Sequence, residues 1–254
     1  MRAIAVLPAR MGASRFPGKP MKKIHGIPMI GHCYYRTKMC KLFETYVATC
    51  DEEIGNYITS IGGQAVMTSH KHNRATDRTA EALQKIEKES GDVDIILMVQ
   101  GDEPLIQPDS LEKLLTHFED DSVDVVNIMS RIRSYEQFTD HNNVKVVANK
   151  LNDALYFSRE PIPSPWKGYE KIPKYMQLGV IAFRKKSLLW FNQMPETELE
   201  QIESVDMNRF LENGMKIRMV PTDAVTIGVD TPEELAVCEK LMINDGILDR
   251  YKKL

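Results

Sequence analysis

The chain shows almost no excess of either charge. Its 254 residues carry 33 lysines and arginines against 36 aspartates and glutamates, a net charge of −3. That excludes the strongly basic face with which a protein neutralises a phosphate backbone, so no nucleic-acid partner is expected. Long apolar runs are also missing. None approaches the roughly 20 residues of a membrane span, so no membrane partner is expected either. The opening stretch is too short for a signal peptide and meets Pro8 and Arg10 at once. The four cysteines, Cys33, Cys40, Cys50 and Cys238, include no CxxC pair and no metal-ligand spacing, which reads as reduced thiols in a cytoplasmic protein. Low-complexity linkers and internal repeats are absent. With 43% hydrophobic and 27% charged residues, the composition is that of a globular protein able to bury its own core.

Hydrophobic patterning alternates short β-branched runs with longer amphipathic segments. Strands are expected at Ala3–Leu7, Thr45–Thr49, Gln64–Met67 and Ile95–Val99. Helices are expected at Met29–Cys40, Asp51–Ile61, Thr76–Lys88 and from Pro108, where Leu111, Leu114, Leu115 and Phe118 form an apolar stripe. Such alternation predicts an α/β fold, a mostly parallel sheet with helices on both faces. Further strands are expected at Val123–Met129, Val144–Val147, Ala154–Phe157, Gly179–Phe183 and Lys216–Val220. Pro161–Tyr175 reads as an excursion, and Pro232–Met242 as a closing helix with Leu235, Cys238, Leu241 and Met242 on one face. One domain spanning 1–254 is expected, with a smaller sub-lobe over roughly 130–220.

Four loops carry candidate chemistry, and ligands of open α/β sheets bind beyond the carboxyl ends of the strands. The loop Pro8–Pro20 holds Arg10, Arg15 and Lys19 with Gly12 and Gly18. It has neither the P-loop nor the dinucleotide fingerprint, but glycine freedom plus three cations suits a triphosphate; a solvated basic turn is the alternative. Asp102, after the strand ending at Val99, and Asp230, before the closing helix, are hard oxygen ligands of the kind Mg²⁺ takes together with substrate phosphates. For Asp230 the competing role is the helix cap, which either Asp230 or Thr231 could supply. In the fourth loop, His70 and His72 lack a third metal ligand, whereas Arg74 and Arg78 stand a turn apart where a helix begins.

Taken together the blocks resemble the 3-deoxy-manno-octulosonate (Kdo) cytidylyltransferase family of CMP–sugar-acid synthetases. The blocks are PAR-x-x-x-SR-x-PGKP at Pro8–Pro20, VAT at Val47–Thr49, T-D-R at Thr76–Arg78 and VQGDEP at Val99–Pro104. They continue with NVKVV at Asn143–Val147, ALYFSR at Ala154–Arg159 and GVDTPEEL at Gly228–Leu235. The resemblance implies a nucleotide-diphospho-sugar transferase-like fold and Mg²⁺-dependent transfer of CMP from CTP to a sugar acid, with release of pyrophosphate. It implies that Ala9, Arg10, Arg15, Lys19, Arg74, Thr76, Arg78 and Gln100 hold the nucleotide. Lys19, Asp102 and Asp230 would be catalytic, and Asp102 and Asp230 would hold the metal. Gln100, Arg159, Gln177, Ile181, Asp206 and Met207 would face the acceptor. A homodimer through the sub-lobe is implied as well, with Trp166, Tyr169, Tyr175 and Trp190 either anchoring it or closing the core or acceptor pocket.

Departures from the family pattern fall on both halves. Arg74-Ala75-Thr76 replaces S-G-T, and Cys50 stands where an aspartate usually follows VAT. The acceptor-side His and Tyr are Gln177 and Ile181, and a Glu-Gln pair is Asp206-Met207. A site built to hydrogen-bond hydroxyls discriminates strongly. The replacements therefore predict an acceptor with fewer hydroxyls, and leave a different ulosonic acid, a phosphonate or a polyol phosphate as alternatives to Kdo. A glycosyltransferase is the nearest other enzyme, but the only D-x-D spelling, Asp92-Val93-Asp94, precedes a strand rather than following one. A catalytically inactive nucleotide-binding relative is the remaining alternative, and intact Lys19, Asp102 and Asp230 argue against it.

Overall fold

Apolar runs with no polar interruption become strands flanked by helices, and the computed structural model, which describes residues 1–12, 15–42, 44–169 and 172–252, follows that rule through its first hundred residues. In chain order these residues form β1 (Ala3–Ala9), a short hairpin of β2 (Lys23–Ile24) and β3 (Ile27–Pro28), then α1 (Met29–Met39), β4 (Glu44–Thr49) and α2 (Glu52–Ser60). β5 (Gln64–Met67), α3 (Ala75–Ser90), β6 (Ile95–Val99) and α4 (Pro108–Thr116) follow. Next come β7 (Val125–Arg131), α5 (Tyr135–Thr139), β8 (Lys145–Ala148), β9 (Ala154–Ser158), β10 (Tyr175–Arg184), α6 (Lys185–Gln193), α7 (Glu198–Glu203), α8 (Met207–Glu212), β11 (Ile217–Thr222) and α9 (Pro232–Met242). Two compact units emerge, one of residues 1–112 with 225–254 and one of 113–224.

In the first unit β6, β1, β4 and β5 lie side by side, all parallel, with Val6 beside both Tyr46 and Met98. β1 and β6 are buried along almost their whole length, as expected of strands covered on both faces. The chain steps outward from β1 to β4 and β5, then returns past β1 to β6. Right-handed crossovers therefore put α1 and α2 on one face and α3 on the other. That reversal between β1 and β6 is a topological switch point, where a crevice opens at the strand ends. Gly101 lets the two loops close up there: a Cβ on it would lie 3.1 Å from the Pro8 carbonyl oxygen and 3.3 Å from the Ala9 Cβ.

The helices bury the stripes that their spacing predicts: Ile30, Cys33, Tyr34 and Thr37 in α1, Ile54 and Ile58 in α2, and Thr79, Ala80, Leu83 and Ile86 in α3. α9 differs in one respect. Cys238 and Met242 are buried and Leu235 packs partly against them, but Leu241 is exposed. Below α9 a polar knot ties residues 245–251 to α1. The Tyr251 hydroxyl lies 2.7 Å from His32 Nδ1 and accepts from Arg36 Nε at 3.1 Å, while His32 Nε2 lies 2.8 Å from the Ile24 carbonyl oxygen. Arg36 also pairs with Asp245.

In the second unit β7 pairs with β11 in parallel and with β10 antiparallel, and β8 pairs with both β10 and β9 antiparallel. β10 is twice as long as its apolar run suggests, and its register against β7 shifts between Gln177 and Ile181. The fully buried Asn127 fills that irregularity, donating its amide to the carbonyls of Leu178 at 2.9 Å and Val180 at 2.8 Å. The short helices α5, α7 and α8 carry too few turns for a periodic stripe to be read. α5 is instead marked by its cap, the Ser134 hydroxyl accepting from the Gln137 N–H at 3.2 Å.

Candidate active site

All the loops leaving the carboxyl ends of β1, β5 and β6 meet in one cleft of about 270 Å³ in the first unit. Ala9, Arg10, Arg15, Lys19, Arg74, Arg78, Gln100, Asp102 and Asp230 line it, together with Phe16, His72 and Gly101. Thr76 does not; its side chain is buried in the first turn of α3. Ala13 and Ser14 of the first loop lie outside the described residues.

Lys19 is placed by local backbone chemistry. Gly18 adopts a left-handed conformation, φ 70°, and opens a 3-10 turn over Lys19–Met21 with Pro20 in its first positions. The turn is tied back by Gly18 N–H to the Met11 carbonyl at 3.0 Å. A residue with a Cβ would be strained at that φ. The Lys19 ammonium then donates three bonds, to Asp102 Oδ2 at 2.7 Å, Asp230 Oδ1 at 2.8 Å and the Val229 carbonyl at 3.1 Å. Burial opposes a charge on Lys19, but the two carboxylates outweigh it and hold its pKa above the ordinary lysine value.

Asp230 is free for this role because it does not cap α9. Thr231 does, in a capping box: its hydroxyl accepts from the Glu234 N–H, and the Glu234 carboxylate accepts from the N–H groups of Asp230 and Thr231 at 2.7 and 2.9 Å. The Asp230 carboxylate therefore faces Lys19 and, through Oδ2 at 2.7 Å, Arg15. Asp102 and Asp230 come together through the Val229 N–H, which donates to the Asp102 carbonyl at 2.9 Å. Two carboxylates converging on one cation fit Mg²⁺ when phosphate oxygens complete the shell. No cluster of three or more metal-ligating side chains occurs among the described residues.

In the same cleft, Arg78 donates to the Thr68 hydroxyl at 2.5 Å and the Ser69 carbonyl at 3.3 Å, which leaves its buried Nη2 without a hydrogen-bond partner among the described residues. A buried donor left in this way is costly, so it is a natural contact for an acceptor atom of a ligand. His72 turns away from metal chemistry and pairs with Glu81. Glu81 also takes the Ser69 N–H at 2.9 Å and Lys85 at 2.8 Å. Burial works against its ionisation, but these partners prevail and lower its pKa to about 2.

Of the residues expected to face the acceptor, all but Gln100 sit in the second unit, and they differ from expectation in what they offer. Ile181 and Met207 are buried, 3% and 1% exposed, so as placed they present no surface to a ligand. An apolar residue at either position therefore packs the interior, and its lack of a hydroxyl or amide says little about the acceptor. Arg159 points its guanidinium at backbone carbonyls, Nε to Glu203 at 2.8 Å, Nη1 to His141 at 2.9 Å and Nη2 to Ser204 at 3.3 Å. Gln177 is half-buried and donates to Asn127 Oδ1 at 2.8 Å, and Asp206 precedes α8. Among the aromatics, Tyr169 packs on Tyr135 and Phe138, and Trp190 lies 6.1 Å from Phe210, whereas Trp166 is exposed.

Sequence reasoning missed Glu203. It accepts from Tyr156 and Ser158 hydroxyls at 3.0 and 2.7 Å and from the Arg159 N–H at 2.8 Å. These bonds overcome its burial and lower its pKa. No family block contains it, so only the structure reveals it.

Comparison with known proteins bears directly on this arrangement. A family model described as cytidylyltransferase matches residues 4–217. The 3-deoxy-manno-octulosonate cytidylyltransferase of Christiangramia forsetii is 40% identical over 245 residues, covering 95% of this chain and 97% of the relative. The Escherichia coli protein of the same name is 39% identical, covering 96% and 97%. A solved CMP:2-keto-3-deoxy-manno-octonic acid synthetase complexed with CTP superposes with a TM-score of 0.88 at 38% identity, over 96% of this chain and all of that one. A Bacillus anthracis protein assigned as a glucose-1-phosphate thymidylyltransferase shares the fold, with a TM-score of 0.67 at 15% identity.

Proposed function

The chain belongs to the 3-deoxy-manno-octulosonate cytidylyltransferase family, and from that premise we propose how its own residues carry out the transfer. It is a CTP-dependent cytidylyltransferase, and the reaction is transfer of CMP from CTP to Kdo. The observation that carries the residue assignment is the convergence of Lys19, Asp102 and Asp230 in a cleft that Arg10, Arg15, Arg74 and Arg78 also line. In this reading the arginines and Lys19 bind the triphosphate, and the spare Nη2 of Arg78 receives an acceptor atom of the nucleotide. Asp102 and Asp230 would hold Mg²⁺, which would supply charge neutralisation at the phosphates. A hydroxyl of the acceptor attacks the α-phosphorus in line and pyrophosphate leaves. Lys19 opposes the charge that builds on the leaving group, so the protein contributes positioning and electrostatics rather than covalent chemistry.

The acceptor's carboxylate is assigned to Arg159, whose guanidinium has N–H groups beyond the three given to carbonyls. Gln177 is assigned to its hydroxyls. Neither Ile181 nor Met207 argues for a less hydroxylated acid, since both are core residues. We assign the enzyme to the cytoplasm, in keeping with four buried free thiols, and to a homodimer formed through 113–224. No helix among the described residues is long and apolar enough to cross a membrane. The test is pyrophosphate release from CTP with Kdo and a panel of other acids, repeated with Asp102→Asn and Asp230→Asn. Each variant should lose at least about two to three orders of magnitude in turnover while remaining folded. Near-normal turnover in either would reduce that carboxylate to a loop or turn residue.

A further inference from the structure

Asp102 and Asp230 belong to segments far apart in sequence, yet their oxygens lie 2.7 and 2.8 Å from one nitrogen, Lys19 Nζ. Without a cation between them the two carboxylates would repel. The third ammonium proton goes to the Val229 carbonyl, so all three Lys19 donors are used to hold this junction, and Arg15 takes the outer oxygen of Asp230. Locally two negative charges are met by two positive ones. A divalent ion entering that balanced cluster would have to displace an ammonium held on three sides.

We propose that Lys19 is the resident cation of the metal site: it keeps Asp102 and Asp230 together in the protein without nucleotide, and its transfer to the triphosphate releases them to the divalent ion. The inference rests on the reading that these two carboxylates are the metal ligands. The fold supports the exchange. The Lys19 backbone is fixed by the 3-10 turn and left-handed Gly18, while its side chain is a compact charge on a flexible stem. Lys19 lines the same cleft as Arg10 and Arg74, so a phosphate lying there offers the ammonium an alternative anion. Phosphate binding thus unmasks the carboxylates at the moment when extra negative charge makes a divalent ion favourable. Metal binding to the nucleotide-free protein is weakened by the small fraction of molecules in which Lys19 has moved away. Nucleotide and metal therefore bind cooperatively at the protein, beyond their affinity for each other in water.

The experiment is Mn²⁺ titration of the nucleotide-free, full-length chain, with free Mn²⁺ followed by electron paramagnetic resonance. Wild-type protein should bind Mn²⁺ weakly. Lys19→Met should bind at least about tenfold more tightly, and Lys19→Arg, which keeps a cation, should stay weak. Asp102→Asn in the Lys19→Met background should remove the gain. Thermal unfolding gives a second readout: Lys19→Met should melt lower than wild type and regain stability with Mn²⁺. Should that variant fail to fold, Lys19→Gln, which retains a neutral donor, takes its place. If wild type and Lys19→Met bind equally and both depend on Asp102, the exchange is wrong and the metal assignment stands. If Mn²⁺ binding ignores Asp102, or is absent in every variant, the metal assignment falls and the exchange with it.

Discussion

Both units set cations against carboxylates, but in different surroundings. In the first, Lys19, Arg15, Asp102 and Asp230 are loop residues whose side chains are 13%, 50%, 22% and 29% exposed. In the second, Arg209 and Glu200 are 5% and 0% exposed and sit on helices. Arg209 grips both Glu200 oxygens, at 2.5 and 2.6 Å, gives Nη1 to the carbonyls of Phe191 and Met194, and lies 3.9 Å from the Phe191 ring centroid. Lys145 is likewise fully buried, its ammonium given to the carbonyls of Asp140, Asn143 and Arg159. A part-exposed pair can trade its partner for a ligand. A fully desolvated one cannot do so without a large penalty.

This contrast can be broken or sharpened by substitution. Arg209→Ala should have the largest effect on folding, a loss of about 3–5 kcal/mol in urea denaturation, because it strands the buried Glu200 carboxylate. The apparent KM for CTP of the molecules that remain folded should not change. Lys19→Ala should do the reverse. Its kcat should fall by at least about two orders of magnitude, while the urea midpoint moves much less than in Arg209→Ala. If Lys19→Ala raised only the KM for CTP, Lys19 would bind the ground state without favouring the transition state.

The smallest of these effects concerns pH. Burial, reinforced by the nearby Arg36 charge, lowers the pKa of His32 from 6.5 to about 4 against its hydrogen bond to Ile24. Between those values the unfolded chain takes up a proton that the folded chain refuses. The stabilisation from neutral His32 is therefore complete above about pH 6.5 and is lost as pH falls through about 4. Urea midpoints between pH 7 and 4 should fall for the wild type and fall less steeply for His32→Gln. Equal slopes would show that other groups govern this range.

How much of this was legible from sequence depended on how local each determinant is. Gln64–Met67, Ile95–Val99 and Pro232–Met242 have the boundaries that their patterns predict, because caps, turns and apolar runs act over a few residues. The loop cations and both aspartates were legible for the same reason, each lying beside a strand end or a helix start. The choice between Asp230 and Thr231 as cap was not legible, since it turns on Glu234 reaching back to two N–H groups. Ile181 and Met207 misled: their letters describe chemistry, but burial decides whether that chemistry is on offer. Asn127 was invisible because its partners are carbonyls some fifty residues away.

The first unit is discontinuous, residues 1–112 being completed by 225–254, and this bears on how the protein is made. During synthesis the ribosome releases β1 and Lys19 early, but Asp230 and the Tyr251 knot only after the intervening segment of 113–224. The second unit is one unbroken stretch and can close as soon as it emerges, in keeping with the tendency of domains to fold as units on the ribosome. Lys19 can meet Asp102 well before it can meet Asp230. The cation cluster is therefore finished among the last parts of the molecule, and a nascent chain stopped short of 230 would lack one of its two carboxylates.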